Sequence, residues 1–384
     1  MKKILWLLLA LLLAACAAAP VAPMPSEPAP LPMTQPPTEP PTAPPTEPPT
    51  QPPDPIADTL ASMSMEEKVG QLFLARYDKD NAPAHTEAYH LGGWVLFSAD
   101  FDGETPESIR TALQALQALS GTPMLIAVDE EGGTVTRVSR HAAFRASNFS
   151  APRDLYRQGG LALVLQTEAE KGDLLSALGI NVNLAPVCDI TTDSGAFMYN
   201  RSLGLSAAEA GRVIAGMVQT MAAHGVQPVL KHFPGYGNNA DTHVGIARDS
   251  RPLEALEEND LLPFYSGIDA GCGAVLVSHT IVECLDAELP ASLSPAVIDY
   301  IRTEMNFDGV IVTDDLVMQA ITDRYGAGAS AVMAIQAGCD LLCSTEYVTQ
   351  YNAVLSAAEE GRISSETLDA AVYRILRWKQ RISQ

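Results

Sequence analysis

Short apolar runs alternate with longer amphipathic segments along residues 56–384. None of the apolar runs has a clean period of two, which is typical of parallel strands that are buried on both faces. Eight runs are predicted as strands: Gln71–Ala75, Trp94–Phe97, Met124–Val128, Val182–Pro186, Pro228–Leu230, Ala274–Ser278, Val310–Thr313 and Asp340–Ser344. The alternation predicts an α/β fold, a TIM-type (β/α)8 barrel that forms a single catalytic domain. A doubly wound parallel sheet shares the alternation and is the alternative.

Helix signals fill the segments between these strands. Ser64 and Glu67 predict a capping box before the first strand, and Thr105-Pro106 opens a helix that should run to about Leu119. Apolar spacing suited to packing on a sheet predicts further helices over Leu155–Leu178, Ala207–Ala223, Leu253–Ile268, Pro295–Met305, Ala327–Ala337 and Val348–Glu359.

The N-terminus has the pattern of an export signal. Lys2 and Lys3 precede the apolar run Ile4–Leu13, and the small-residue cleavage site Leu13-Ala14-Ala15 is followed by Cys16. This arrangement resembles the lipobox of bacterial lipoproteins. We therefore expect residues 1–15 to be a signal peptide and Cys16 to carry the lipid. Ordinary secretion with an incidental cysteine is the alternative.

Residues 16–55 are predicted to be a linker. Pro-Pro-Thr units repeat in tandem from Pro36, and such a sequence has few apolar residues to bury and favours extended polyproline II. The barrel, residues 56–384, would then be tethered at the cell envelope as an exported, membrane-anchored lipoprotein. Its contact with the membrane would be through the N-terminal lipid only.

Charge and cysteine usage exclude some partners. The formal net charge is −22, which disfavours nucleic acid as a target. Five cysteines remain after Cys16, without the spacing of a metal site or a disulfide framework. We expect all five to be buried free thiols.

Polar residues follow five of the predicted strands, at the points where the apolar runs stop. In a (β/α)8 barrel the carboxyl ends of the strands build the reaction site. The residues are Asp129-Glu130-Glu131-Gly132-Gly133, Asp189, Lys231-His232, Ser278-His279 and Asp314-Asp315. The loop after Lys231-His232 is broken by Pro234 and two glycines, and it then presents Asp241 and His243.

Several motifs occur together in a fixed order between residues 64 and 318. They are Met65–Gln71, Ala127–Gly133, Gly179–Val187, Asn200–Ser202, Lys231–Gly235, Asp241–His243 and Phe307–Leu316. On these motifs the chain resembles glycoside hydrolase family 3, specifically its β-N-acetylhexosaminidase branch. The signal sequence and the linker lie outside the resemblance.

The resemblance implies a retaining mechanism with Asp314 as the nucleophile. Its neighbour Asp315 is expected to be a structural partner, because alternation along a strand lets only one of the two face the barrel centre. His243 would be the acid/base group, oriented by Asp241, where most retaining glycosidases use a second carboxyl group.

The resemblance also implies the contacts with the sugar. Asp129 would accept hydrogen bonds from hydroxyls, and four cationic or imidazole side chains would donate to hydroxyls and the acetamido group. These four are Arg137, Arg201, Lys231 and His232. An ion pair with a neighbouring loop is the alternative for Arg137 and for Arg201. Glu130, Glu131, Asp189 and His279 would support these groups.

These expectations describe an exo-β-N-acetylglucosaminidase that acts on muropeptides or related N-acetylglucosamine-containing oligosaccharides. The reaction needs neither a metal nor an organic cofactor, and we expect a monomer. A phosphorylase with the same Asp/His site is the enzymatic alternative, because a histidine does not repel an incoming phosphate as a carboxylate would. A sugar-binding lipoprotein without activity is the alternative outside enzymes.

Overall fold

The computed structural model of the protein describes residues 54–237 and 245–382. The predicted signal peptide, the lipidation site Cys16 and the linker up to residue 53 lie outside the described residues. Asp241 and His243, the predicted acid/base pair, also lie outside them.

Eleven strands occur in the described residues. In chain order β1 to β11 are Phe73–Arg76, Gly93–Leu96, Leu125–Val128, Val182–Asn183, Gln227–Pro228, Leu230–Phe233, Arg248–Asp249, Ala274–Val277, Ile281–Val282, Val310–Thr313 and Leu342–Ser344. Thirteen α-helices accompany them. In chain order α1 to α13 are Pro55–Ser62, Met65–Gln71, Ala82–Tyr89, Pro106–Leu119, Pro152–Ala177, Ala207–Ala223, Leu253–Ala255, Leu262–Asp269, Pro295–Thr303, Gln319–Tyr325, Ala327–Ala337, Tyr347–Glu359 and Ser365–Gln380.

The strands of the core follow one another as in a (β/α)8 barrel. One sheet has the order β11-β1-β2-β3-β4-β5 and a second has the order β10-β8-β6, and the pairs are parallel. Single parallel bridges link the two sheets at both seams, between Val187 and Lys231 and between Val312 and Leu341. The ladder is therefore not continuous around the ring. The pairing of the first strand with the last excludes the doubly wound alternative.

All eight predicted runs overlap observed strands, but several bounds differ, for example at Gln71, which ends helix α2. One of the differences concerns the site. The predicted run Pro228–Leu230 stopped before Lys231, whereas β6 extends through Lys231 and His232 to Phe233. The capping box of Ser64 and Glu67 is present, and α4 has the predicted bounds. The predicted helix Leu253–Ile268 is interrupted by a π-helical turn over Leu256–Asp260.

Helix α13 was not predicted, and it lies across the N-terminal ends of the strands. Arg374 and Arg377 pair with Asp340 and Asp308, which precede β11 and β10. Lys379 donates to Gln71 and Thr122, which precede β1 and β3. The helix thereby closes this face of the barrel. Asp54, the first described residue, accepts a hydrogen bond from Tyr373 of the same helix.

The thiols correct one expectation. Cys188, Cys272, Cys339 and Cys343 are buried and free, but Cys284 is free and exposed. It lies in the turn after the short strand β9, outside the barrel core. Within the described ranges, no helix is both long and apolar enough to cross a lipid bilayer.

Candidate active site

A cavity of about 630 Å³ opens at the C-terminal ends of the strands. Its walls come from at least six different strand ends, as expected for the reaction site of this fold. The lining residues that carry chemistry are Asp129, Arg137, Arg201, Lys231, His232, Asp314 and Asp315, and the uncharged ones include Val95, Phe97, Tyr236, Met318 and Thr345. The structure thus brings together every predicted site residue that it describes, while Cys16, Asp241 and His243 lie outside the described residues.

Asp314 and Asp315 follow directly after β10. The backbone N–H of Asp314 donates to the carbonyl of Val277 at 3.0 Å, which fixes the turn against β8. The carboxylate of Asp315 accepts from the hydroxyl of Thr345 at 2.5 Å and from the backbone N–H of Val317 at 3.2 Å. Burial raises the pKa of Asp315, and the hydrogen bonds from Thr345 and Val317 oppose this effect.

Asp314 and Asp315 both border the cavity. β10 ends at Thr313, so the two aspartates lie in the turn after the strand. That only one of the two carboxylates faces the barrel centre stays a prediction. The carboxylate of Asp315 is nevertheless bound to Thr345, as a structural partner of the turn would be.

Lys231 lies between two carboxylates from the end of β3. Its ammonium is 2.5 Å from Asp129 Oδ1 and 2.7 Å from Glu131 Oε1. Burial disfavours the charge on Lys231, but Asp129 and Glu131 outweigh it and raise the pKa of this lysine. Lys231 and His232 both line the cavity, and the peptide bond between them is cis.

Arg201 forms a two-pronged ion pair with Glu131. Its Nη2 is 2.7 Å from Glu131 Oε1 and its Nε is 3.0 Å from Glu131 Oε2. Burial opposes the charge on Glu131, but Lys231 and Arg201 hold the pKa of this carboxyl well below its usual range. Arg201 therefore has the ion pair that was the alternative for it, and it lines the cavity as well.

His232 is oriented by Asp189. Its Nδ1 lies 2.9 Å from Asp189 Oδ2, and its Nε2 lies 3.0 Å from Arg201 Nη2. A carboxylate only accepts and a guanidinium only donates, so these partners assign the proton to Nδ1 and leave Nε2 as the acceptor. Burial opposes the charge on Asp189, but His232 and the N–H of Tyr236 lower the pKa of this carboxyl.

Glu130 and Arg137 belong to the loop after β3. The buried carboxylate of Glu130 accepts from the backbone N–H groups of Arg137 and Val138, both at 2.7 Å, so it holds the loop rather than the sugar. The guanidinium of Arg137 is 3.7 Å from Asp129 and lies over the ring of Phe97. This is a longer contact than the other ion pairs of the cavity.

His279 supports the turn that carries the two aspartates. It is fully buried, and its ring bridges the hydroxyl of Ser292 at 2.7 Å and the backbone carbonyl of Asp315 at 3.0 Å. Phe97 and Thr345 were not predicted as parts of the site. Phe97 is the last residue of one predicted strand, and Thr345 directly follows another. Their position at strand ends is the signal that could have identified them.

The arrangement can bind a polyhydroxylated molecule and attack it. Charged donors and acceptors lie along one wall, and the carboxylate-bearing turn after β10 forms another. The sequence profile of the family described as "Glycosyl hydrolase family 3 N terminal domain" matches residues 64–378. The chain belongs to glycoside hydrolase family 3.

Similar proteins carry related names. The chain is 31% identical to the "Beta-hexosaminidase LpqI" of Mycobacterium tuberculosis over 337 residues, which is 83% of this chain and 84% of that protein. It is 32% identical to a "Beta-hexosaminidase" of Xanthomonas oryzae over 295 residues, covering 74% of this chain and 85% of that one.

Solved structures agree with the fold. A family 3 β-N-acetylglucosaminidase from Paenibacillus superimposes with a TM-score of 0.78 at 34% identity, covering 84% of this chain but only 63% of that longer one. A family 3 glycosyl hydrolase from Mycobacterium smegmatis superimposes with a TM-score of 0.76 at 29% identity, covering 83% of this chain and 98% of that one.

Proposed function

We propose that this glycoside hydrolase is a retaining exo-β-N-acetylglucosaminidase that removes terminal β-linked N-acetylglucosamine from muropeptides or related glycans. One observation carries the proposal. Asp314 lies in the wall of the same cavity as Asp129, Arg201 and Lys231, so a nucleophile and the groups that would hold a sugar share one space. The names of the relatives from Mycobacterium tuberculosis and Paenibacillus support the substrate class.

The charged wall would hold the terminal sugar. Asp129 is 15% exposed in its side chain and would accept from ring hydroxyls, while Lys231 and Arg201 would donate. Arg137 has a weak contact with Asp129 at 3.7 Å, so its guanidinium can turn toward the sugar at little cost. Hydrogen bonds from charged groups in such a cavity favour one orientation of the sugar over others.

In the first step an oxygen of Asp314 would attack the anomeric carbon and form a glycosyl ester. The bond from that carbon to the leaving oxygen breaks, and protonated His243 would give its proton to the leaving oxygen. In the second step neutral His243 would take a proton from water. The water oxygen then attacks the anomeric carbon, and Asp314 leaves as a carboxylate.

His243 and Asp241 lie outside the described residues, so their part in the reaction rests on the motif. The described chain supports it up to Gly237: Tyr236 lines the cavity, and its backbone N–H donates to Asp189 at 2.7 Å. Tyr236 is thus a described residue of the cavity that precedes Asp241 by five positions in the sequence. The pattern of residues 1–16 supports export and lipidation at Cys16.

The test is to incubate the protein with purified muropeptides and with an aryl β-N-acetylglucosaminide. We expect mass spectrometry to identify free N-acetylglucosamine, and proton NMR to show that its β anomer forms first. First formation of the α anomer would overturn the retaining mechanism. Release of the sugar as a 1-phosphate when phosphate is added would instead establish a phosphorylase. Binding of the saccharide without any release over days would establish a sugar-binding protein.

A further inference from the structure

A series of alternating anions and cations runs along and behind the charged wall of the cavity. Asp129 accepts from Lys231, Lys231 also forms an ion pair with Glu131, and Glu131 accepts from Arg201. Arg201 then donates to His232, which donates to Asp189. Glu131 lies between Lys231 and Arg201, two cations of this series.

A single oxygen of Glu131 makes both of the central contacts. Glu131 Oε1 is 2.7 Å from Lys231 Nζ and 2.7 Å from Arg201 Nη2. Lys231 belongs to β6, whereas Arg201 belongs to the loop between β4 and α6. This oxygen therefore sets the position of one cation relative to the other.

The backbone of Glu131 is fixed by two hydrogen bonds. Its backbone carbonyl accepts from the ammonium of Lys171 on α5 at 3.1 Å, and its backbone N–H donates to the carbonyl of Val135 at 3.1 Å. Its side chain is only 3% exposed, against 15% for Asp129, and Glu131 does not line the cavity. The carboxylate thus reaches the sugar only through its two cationic partners.

We propose that Glu131 is the positioning residue that fixes Lys231 and Arg201 as one rigid pair of sugar donors. The inference deepens the proposed function and rests on it, since the sugar that the pair receives is the terminal N-acetylglucosamine. Glu131 acts through Lys231 and Arg201 and does not touch the substrate.

Glutamine cannot replace this carboxylate. Two N–H groups of Arg201 and the ammonium of Lys231 face its two oxygens, whereas a glutamine offers one oxygen and an NH₂ group that only donates. With the amide oxygen in the place of Oε1, Arg201 Nε would lose its acceptor and the amide NH₂ would face this guanidinium nitrogen instead. The geometry of the donor pair should change even where the fold is kept.

The charge of Glu131 also affects the pH at which Lys231 loses its proton. Asp129 and Glu131 from the end of β3 favour the ammonium, Arg201 from the neighbouring loop disfavours it, and Asp314 lines the same cavity. Removing the charge of Glu131 takes away one of the two anions in contact, so the pKa of Lys231 falls. A lysine with a lower pKa becomes neutral at a lower pH.

The experiment measures binding of N-acetylglucosamine by calorimetry from pH 6 to pH 10, in the full chain. Binding is a better readout than turnover, because His243 as the acid would limit turnover at alkaline pH by itself. In Glu131→Gln we expect the affinity at pH 7 to fall by about 10- to 100-fold. The wild type should keep its affinity up to pH 10, because the carboxylates beside Lys231 raise its pKa. Glu131→Gln should lose affinity within this range, and the pH at which affinity is lost is the alkaline limit of a variant.

Glu130→Gln is the matched control, since Glu130 is the adjacent buried carboxylate and contacts backbone N–H groups and Ser139 instead of cations. It should weaken binding without moving the alkaline limit. Glu131→Asp keeps the charge on a shorter side chain. It should weaken binding, but its alkaline limit should be the same as that of the wild type.

Three results would overturn the proposal. They are an unchanged alkaline limit in Glu131→Gln, the same shift in Glu130→Gln, or a shift of equal size in Glu131→Asp. If Glu131→Gln does not fold, the alkaline limit of Glu131→Asp is compared with that of the wild type. A lower limit in Glu131→Asp would then contradict the proposal. Hydrolysis by the wild type is measured separately, so a failure of the proposed function is distinguished from a failure of this inference.

Discussion

The two ends of the barrel use the same kinds of charged residues in different ways. At the C-terminal end of the strands, Asp129, Lys231 and Arg201 border a cavity of about 630 Å³. At the N-terminal end, Asp340 is buried beneath helix α13, and Lys379 of this helix is buried against the barrel. Both ends contain buried ion pairs, so burial of charge alone does not identify the reaction site.

The difference lies in what the charges face. Asp340 accepts from Arg302 at 2.5 Å, from Arg374 at 3.0 Å and from the backbone N–H of Ile311 at 2.7 Å, so its oxygens are committed to protein groups. At the other end Arg137 makes only a 3.7 Å contact with Asp129, beside open space. The carboxylate of Asp340 is thus enclosed by its partners, whereas the guanidinium of Arg137 keeps an open side.

The largest difference between the two ends should appear in activity. We expect Asp314→Ala to lower kcat on an aryl β-N-acetylglucosaminide by on the order of 10⁴-fold or more, since the attacking group is lost. Thermal unfolding should change little. Azide should restore turnover and give the glycosyl azide of α configuration. The matched control is Asp315→Asn, and a variant of Asp314 with nearly full activity would contradict the assignment.

The next largest effect should be on stability, at the opposite end. Replacing Asp340 by Ala leaves Arg302 and Arg374 without their shared carboxylate, which costs about 3–5 kcal/mol in the free energy of unfolding. Urea unfolding measures this loss. The folded fraction should keep the wild-type kcat/KM, because Asp340 is remote from the cavity. An Asp340→Ala protein with wild-type stability, or one that is folded but inactive, would contradict this prediction.

The sequence predicts the C-terminal end of the barrel better than the N-terminal end. Strands buried on both faces leave continuous apolar runs, and the polar residues that follow them mark the cavity. Asp129 and Lys231 were found in this way. The bond between Glu131 and Arg201 spans 70 residues, and no local pattern indicates which cation a given carboxylate will meet.

Helix α13 was missed for a related physical reason. The apolar positions of the helix are buried: Leu368, Ala371, Val372, Ile375 and Leu376. Arg374, Arg377 and Lys379 also point at the barrel, so the charged residues are not confined to the opposite face of the helix. Their partners precede β10, β11, β1 and β3, so the role of these charges exists only in the assembled barrel. The π-helical turn at Leu256–Asp260 likewise left no signal in the spacing of the helix that was predicted there.

The last expected effect is a pH dependence of stability contributed by Lys379. Burial lowers the pKa of this lysine to about 7, whereas an unfolded lysine has a pKa of about 10.4. Between these values the unfolded chain holds more protons than the folded chain, so this group makes stability rise with pH, by at most about 1.4 kcal/mol per pH unit. Below pH 7 both states are protonated and the slope vanishes.

Lys379→Met removes this titration. The variant shows whether the positive charge of Lys379 destabilises the folded protein. The free energy of unfolding of the wild type, minus that of the variant, should increase from pH 7 to pH 10, whereas Lys79→Met at an exposed lysine is the control. A difference that stays flat across this range would mean that Lys379 remains charged in the folded protein. The N-terminal end would then resemble the cavity, where Lys231 keeps its proton because carboxylates lie beside it.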